Sequence, residues 1–84
     1  MYRIIIKKNA FRAIEKLPIE QIESIYNKVM SLSENPRPNG CKKLKGFENV
    51  YRIRLGIYRI IYSIFDKKLI VEIIKVAHRK DVYK

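Results

Sequence analysis

The sequence predicts an α+β domain with the element order β-α-α-β-β-β. A β-branched run opens the chain, two helical patterns divided by a proline follow it, and three alternating runs divided by tight turns fill the second half. We expect the two N-terminal helices to pack on one face of a mainly antiparallel, four-stranded sheet. A chain of 84 residues has room for one core, so residues 1–84 are expected to form a single domain.

Short local signals mark the first strand and the first helix. Tyr2–Lys7, with the sequence YRIIIK, is β-branched and predicts a strand. Asn9 is a suitable N-cap for a helix over residues 10–17, because its side-chain oxygen accepts a bond from a free backbone N–H. Pro18 ends this helix, and proline also suits the first turn of a following helix.

An amphipathic pattern predicts the second helix over residues 19–34. Apolar residues recur there at spacings of three and four, so they share one face that needs a sheet to cover it. They are Ile22, Ile25, Tyr26, Val29 and Leu32, with Met30 beside them. A run of helix breakers over residues 35–40, NPRPNG, ends the helical half.

Three further strands are predicted at Val50–Leu55, Tyr58–Phe65 and Leu69–Ala77. A turn at Gly56 and Ile57 joins the first two, and a turn within residues 66–68 joins the last two. Glycine at the first central position suits a two-residue type II′ turn.

The type II′ turn fixes the register of the hairpin. Leu55 pairs with Tyr58, and Arg54 then lies directly opposite Arg59. Arg52 is two residues along from Arg54 and shares its face. The other face, on which the helices can pack, carries Tyr51, Ile53, Leu55, Tyr58, Ile60 and Tyr62.

Three arginines on one face are an arrangement that needs an explanation, because like charges opposite each other across a strand pair are destabilising. A bound phosphate explains it, since each guanidinium presents a planar fork of donors that matches phosphate oxygens. A cluster of three also stabilises negative charge that develops during a reaction. The alternative is that exposed strand faces tolerate arginine, with its stem covering apolar neighbours such as Ile61.

The register of the last strand stays open at this point. A two-residue turn before it places Glu72 on the arginine face, whereas a three-residue turn places Lys75 there.

A second cluster of polar residues follows the last strand: His78, Arg79, Lys80 and Tyr83. Histidine ordinarily titrates near neutral pH, which makes His78 a candidate proton carrier, although a lone histidine at a strand end is more often structural. Tyr83 is a candidate for stacking on a base, or for proton exchange if nearby arginines lower its pKa.

The sequence is strongly basic. Its 19 Lys and Arg against 8 Asp and Glu give a net charge of +11. Residues 1–40 hold seven basic and four acidic residues, and residues 41–84 hold twelve and four. Solubility alone does not require one sign of charge to concentrate in one half, so the pattern favours nucleic acid as a partner.

Cysteine and histidine are scarce. Cys41 and His78 stand alone, so we expect no internal disulfide, no metal site and no cofactor. The first apolar run is too short for a signal peptide, and no segment has the length of a membrane span. We therefore expect a cytoplasmic location and no membrane partner.

Two segments, YRIRLGIYRIIYSI (residues 51–64) and HRKDVY (residues 78–83), resemble the RelE/ParE toxin superfamily of bacterial and archaeal toxin-antitoxin pairs. The NPRP loop, the KLKG segment (residues 43–46) and the element order fit the same superfamily. Its fold serves two activities, that of ribosome-dependent mRNA endonucleases, which are RelE-like, and that of DNA gyrase poisons, which are ParE-like.

The resemblance implies a set of site residues. Arg52 and Arg54 occupy the two basic positions of the second strand, Arg59 the arginine of the hairpin, Arg79 the arginine after the last strand, and Tyr83 the terminal tyrosine. Retention of this set favours the nuclease. The best-studied members carry lysines at the first two positions, and arginine is too basic to act readily as a general base, so we expect these two to clamp phosphate.

The implied function is metal-independent cleavage of mRNA in the ribosomal A site, by attack of a 2′-hydroxyl on its neighbouring phosphate. Tyr83 would accept the 2′ proton or stack on a base, and Arg79 or His78 would assist the leaving oxygen. Basic residues around the hairpin, Lys42, Lys43, Lys45 and Lys80, would bind RNA. A cognate antitoxin and the ribosome are the implied partners. A ParE-like gyrase poison and a non-enzymatic, nucleic-acid-binding toxin relic remain the alternatives.

Overall fold

The structure is a computed structural model that describes residues 1–81, so the predicted site residue Tyr83 lies outside the described residues. Two helices follow the first strand, and four strands follow the helices. The elements are β1 (Arg3–Ile6), α1 (Lys8–Glu15), α2 (Ile19–Ser31), β2 (Lys42–Lys43), β3 (Val50–Leu55), β4 (Tyr58–Phe65) and β5 (Ile70–His78).

The strands form one five-stranded sheet in the order β1-β5-β4-β3-β2. β1 runs parallel to β5, and every other neighbouring pair is antiparallel. The α+β class and the order of the predicted elements along the chain are confirmed, whereas the order of the strands within the sheet was not predicted. The sequence analysis missed β2, because two residues are too few to show an alternating pattern.

The helices differ slightly from their predicted limits. α1 begins at Lys8, with Lys7 in the N-cap position and no side-chain cap, so Asn9 lies in the first turn and the predicted Asn9 cap is wrong. Pro18 occupies the N-cap position of α2, where its fixed φ and missing N–H cost nothing. α2 ends at Ser31 rather than at residue 34.

The core lies between the two helices and one face of the sheet. The predicted apolar face of α2 is confirmed, since Ile25, Val29 and Leu32 are fully buried. Met30, beside that face, is 56% exposed. The sheet contributes Tyr51, Ile53, Ile60, Tyr62, Ile64, Val71, Ile73 and Val76.

The β3–β4 hairpin has the predicted register. Leu55 pairs with Tyr58, and Arg54 pairs with Arg59. Gly56 has a φ of +60°, the left-handed value that the first central position of a type II′ turn requires.

A bulge in β5 resolves the open register of the last strand. Four residues, 66–69, separate the paired Phe65 and Ile70, and this register places Glu72 opposite Ser63. The register shifts by one residue between Ile61 and Tyr62, so that Lys75 lies opposite Ile61. Both Glu72 and Lys75 therefore lie on the arginine face, at different levels along the strand.

Arg37 fastens the NPRP loop to the sheet. Its Nη2 and Nη1 donate to the two carboxylate oxygens of Asp66 at 2.8 and 3.2 Å, and its Nε donates to the Tyr51 hydroxyl at 3.2 Å. The Tyr2 hydroxyl donates to Asp66 Oδ1 at 2.6 Å. At the adjoining residue, the carbonyl of Pro36 accepts a bond from the buried Tyr62 hydroxyl at 2.8 Å. The loop that leads into β2 is thus held at several points.

Candidate nucleic-acid interface

A groove of about 320 Å³ opens on the sheet face opposite the helices. Apart from Leu44, every residue that lines it is basic. These residues are Lys42, Lys43, Lys45, Arg52, Arg54 and Arg59, which we call the basic groove. The structure therefore brings the three arginines of the predicted cluster together with three of the four predicted RNA-binding lysines.

Strand pairing explains how the groove forms. Lys42 in β2 is the cross-strand partner of Arg52 in β3, and Arg54 is the partner of Arg59 in β4. Because paired residues share a face, one row of the sheet carries Lys42 and Arg52 and the next carries the two other arginines. The short β2 supplies Lys42 and Lys43, which with Lys45 form what we call the lysine wall of the groove; the predicted four-stranded sheet had no strand at this edge.

The three arginines differ in exposure. Arg54 is exposed, Arg59 is half-buried, and Arg52 is only 6% exposed. Ile61, the cross-strand partner of Arg52, lies on the same face and is 7% exposed. The arginine face is thus less open than a free strand surface, and the Arg52 stem lies where it can cover Ile61 while contributing charge to the groove.

The electrostatics of the groove favour an anion. Among residues 1–81, no carboxylate forms a salt bridge with Arg52 or Arg54. The salt bridge of Arg37 and Asp66 lies at the far end of the hairpin, beside the β4–β5 turn. Six cations that line 320 Å³ repel one another, and a phosphate that enters the groove removes part of that repulsion.

A family model described as "ParE toxin of type II toxin-antitoxin system" matches residues 4–83. The chain belongs to the RelE/ParE toxin superfamily. The resemblance of the hairpin and tail motifs to this superfamily is therefore confirmed.

Other members of the superfamily share most of the chain's length. The mRNA interferase toxin RelE of Escherichia coli K12 is 31% identical over 87% of this chain and 78% of its own. Toxin RelE3 of Methanocaldococcus jannaschii is 38% identical over 81% of this chain and 68% of its own. The archaeal RelE-RelB complex of Pyrococcus horikoshii OT3 matches with a TM-score of 0.85 and 31% identity, over 96% of this chain and 98% of that one.

His78 lies away from the basic groove. It pairs with Tyr58 across β4 and β5, and the two rings meet edge to face with centroids 6.3 Å apart. Tyr58 packs against the core, so the His78 ring is on the helix side of the sheet. Its Nδ1 accepts a bond from the backbone N–H of Lys80 at 3.1 Å. His78 was expected to join the arginines in one site, but its ring lies on the opposite face of the sheet from them.

Arg79 lies at the tip of the β3–β4 hairpin. Its backbone N–H donates to the carbonyl of Ile57 at 2.7 Å, which holds the chain after β5 beside the turn. The side chains of Arg79 and Lys80 are exposed and do not line the groove. The described chain thus places Arg79 next to the groove end, while Tyr83 lies outside the described residues.

Residues 1–81 contain no group of three or more His, Cys, Asp or Glu side chains positioned to hold a metal ion. No helix in the same range is long and apolar enough to cross a membrane.

Sequence reasoning missed two features of this site. The first is that Lys42 and Lys43 belong to a strand of the sheet rather than to a loop beside it. The second is Leu44, the apolar member of the groove lining. The apolar Leu44 between Lys43 and Lys45 was a possible signal, but one apolar residue between two lysines is too short a pattern to indicate a strand.

Proposed function

We propose that this chain is the toxin of a type II toxin-antitoxin pair and cleaves messenger RNA in the ribosomal A site. The observation that supports it most is the basic groove, where three arginines and three lysines line one cavity on the sheet face opposite the helices. A groove of this charge and size suits a nucleic-acid backbone. The relatives named mRNA interferase identify the nucleic acid as message.

The proposed reaction is an internal transesterification. The ribose 2′-oxygen attacks the adjacent phosphorus, the bond from phosphorus to the 5′-oxygen breaks, and the products are a 2′,3′-cyclic phosphate and a free 5′-hydroxyl. One proton leaves the 2′-oxygen, and one is delivered to the 5′-oxygen. No metal takes part in this scheme, because cations already in the protein neutralise the charge that develops.

The arginines stabilise the transition state. Arg54 and Arg59 face each other across the hairpin, so both can reach the non-bridging oxygens of one phosphate. Arg52 is nearly buried, which fixes its guanidinium in advance and reduces the reorganisation needed during the reaction. The lysines of the groove, Lys42, Lys43 and Lys45, hold neighbouring phosphates of the RNA backbone.

We assign proton transfer to the residues that follow β5. Arginine is too basic to serve as a general base, so Tyr83 is proposed to accept the 2′ proton or to stack on the base beside the scissile bond. Arg79, held at the hairpin tip, donates a hydrogen bond to the leaving 5′-oxygen, which takes its proton from a solvent water. Lys80 adds a further contact to the RNA backbone. His78 takes no part in this scheme, since its ring lies on the helix side of the sheet.

The proposed partners are the ribosome and a cognate antitoxin. Several related toxins have been solved as complexes, including RelBE of Escherichia coli and RelE-RelB of Pyrococcus horikoshii. An antitoxin for this chain is expected to carry acidic residues or an amphipathic helix that covers the sheet and the basic groove, which would exclude RNA.

A ribosome cleavage assay tests the proposal. Purified chain is mixed with programmed ribosomes, and single-turnover cleavage of the message is followed for the wild type, Arg59→Ala and Tyr83→Phe. We expect Arg59→Ala to lower the rate by about 10²–10³, the range for loss of one donor to a developing oxyanion. The exposed Lys68→Ala, in the β4–β5 turn, is the charge control and should cut at the wild-type rate.

Three results would count against the proposal, the first against the site and the other two against the activity. If both variants cut as fast as the wild type, the site is misplaced. If the wild type leaves ribosome-bound message intact but stalls DNA supercoiling by gyrase, the chain has the activity that the name of its family model indicates. If it does neither and its expression without an antitoxin leaves growth unaffected, it is a binding module.

A further inference from the structure

A second cavity, of about 600 Å³, lies on the helix side of the sheet between α1 and the end of β5. Tyr58 lines it, whereas the next residue in β4, Arg59, lines the basic groove. Successive residues of a strand point to opposite faces, so the two cavities are separated by the sheet. This second cavity is not part of the site described above.

One wall of the cavity is basic. Arg12 and Lys16 come from α1 and its C-cap position, four residues apart, so they project from the same face of the helix. Both are exposed, and neither forms a salt bridge with a carboxylate within residues 1–81. The carboxylate between them in sequence, Glu15, instead accepts a bond from the Tyr26 hydroxyl at 3.2 Å. Two cations are thus available to an anion that enters the cavity.

The opposite wall carries two rings. Tyr58 and His78 are cross-strand partners with an interplanar angle of 76°. The His78 ring is fixed by the bond from the Lys80 N–H to its Nδ1. Asn9 adds an amide, which both donates and accepts hydrogen bonds. Leu17 and Val76 supply apolar surface.

We propose that this cavity binds one unpaired nucleotide of RNA, its phosphate on Arg12 and Lys16 and its base against Tyr58 and His78. The volume is within the usual range for a small-molecule site and exceeds what a phosphate alone would fill. Aromatic rings beside cations are the usual elements of a single-strand binding site. An acidic peptide would use the cations but has no need of rings and an amide.

The inference rests on the proposed function for the identity of the nucleic acid as RNA. It adds a contact that is remote from the cleaved bond. Because Tyr58 and Arg59 are adjacent, an RNA strand that passes the end of the hairpin can reach both cavities. The second site would then hold a nucleotide some positions along the strand from the one that is cut.

Photo-crosslinking locates the site directly. The full chain is irradiated with a short RNA that carries one 4-thiouridine, and the adducts are mapped by mass spectrometry. We expect an adduct on Tyr58 or His78. A variant without two groove arginines, Arg54→Ala with Arg59→Ala, should still form it. Adducts confined to the basic groove would overturn the inference.

Binding measurements give the second test, with fluorescence anisotropy of the same RNA. The double substitution Arg12→Ala with Lys16→Ala should weaken RNA binding about tenfold. It should also lower the slope of log K against the logarithm of the salt concentration by about one. His78→Ala should weaken it about fivefold through loss of a stacking ring. The control, Lys67→Ala with Lys68→Ala, removes the same charge at the other end of the sheet and should change affinity less than about twofold.

The outcomes separate this inference from the proposed activity. If the wild type never cuts message but keeps the adduct and the Arg12 and Lys16 effect, the activity fails and the second site stands. If the variant Arg12→Ala with Lys16→Ala binds RNA as tightly as the wild type, the second site fails whatever the cleavage result. If that variant keeps RNA affinity but loses affinity for the antitoxin, the cavity is a protein-docking surface and the inference is overturned.

Discussion

Asp66 has a lowered pKa, and the main cause is its contact with Arg37. The bonds from the Arg37 guanidinium, and secondarily from the Tyr2 hydroxyl, lower the pKa of Asp66 from 3.8 to about 2. The pair is exposed, with side-chain exposures of 42% and 50%, so solvent weakens its Coulomb attraction. The bidentate geometry nevertheless fixes the loop that leads to the lysines of the basic groove.

Acid should remove this contact at a defined pH. Because the folded pKa of Asp66 is depressed, its contribution to stability is complete above pH 4 and is lost as the pH falls toward 2. We predict that the melting temperature of the wild type falls more between pH 5 and pH 2 than that of Asp66→Asn. The other carboxylates are the same in both proteins, so their protonation affects both melting temperatures equally. Parallel melting curves for the two proteins would contradict the assignment.

The facing arginines should cost stability. Arg54 lies directly opposite Arg59, and like charges in that position destabilise a strand pair. We predict that Arg54→Thr raises the free energy of unfolding by about 0.2–1 kcal/mol at low salt while it lowers cleavage. Denaturant unfolding measures the gain, which should shrink at high salt.

The matched control for this substitution is Arg3→Thr. Arg3 is also an exposed strand arginine, but its cross-strand partner is Ile70. It should show no salt-dependent gain. A gain of equal size at both positions would mean that β-propensity, rather than repulsion, explains the effect.

Among the elements, the β3–β4 hairpin contributes most to the site. Its two-residue turn decides which side chains face the groove and which face the helices. Gly56 makes that turn possible, since its φ of +60° places any other residue in the left-handed region.

Gly56→Ala should therefore destabilise the chain by about 1–2 kcal/mol. Ile57→Ala, at the neighbouring exposed position, should change stability by less than about 0.5 kcal/mol. Urea unfolding of the two variants checks the comparison. Equal losses would show that the turn does not have the type II′ conformation.

The bulge in β5 has a different effect on the site. Without it, one register would run the length of the strand and only one of Glu72 and Lys75 would face the groove side. With it, Lys75 lies in the row of Arg52 and Ile61, whereas Glu72 lies in the row of Ser63. The bulge thus brings Lys75 to the arginine face, while the turn register places Glu72 one row further from Arg52.

At the scale of the whole molecule, net charge and its placement are expected to govern the proposed association with RNA. A charge of +11 on 84 residues attracts any polyanion, but the basic groove concentrates six of those charges on one face. Binding to ribosomes should therefore weaken steeply as salt rises.

Removing the lysine wall should change this salt dependence. We predict that the triple substitution of Lys42, Lys43 and Lys45 by alanine weakens ribosome binding and lowers the slope of log K against log salt by about 2, close to 0.7–0.9 per lost phosphate contact. Ribosome co-sedimentation over a salt series measures it. An unchanged slope would show that these lysines do not contact RNA.

The candidate site was partly predictable from local pattern. Period-two alternation and one glycine placed Arg54 against Arg59, because both are properties of adjacent residues. The position of His78 was not predictable in this way. The face that a residue at the end of β5 occupies depends on the bulge four residues earlier. No residue in the sequence of β5 predicts that bulge.

By itself the sequence determined the α+β class, the two helices, the hairpin register and the superfamily, since each rests on spacing within a short stretch or on motif similarity. Only the tertiary structure decided that β1 joins β5 in parallel, that a two-residue β2 brings the lysines to the arginines, and that α1 and His78 enclose a second cavity. Those features arise from contacts between distant segments, whose geometry is set by packing of the whole core rather than by local propensity.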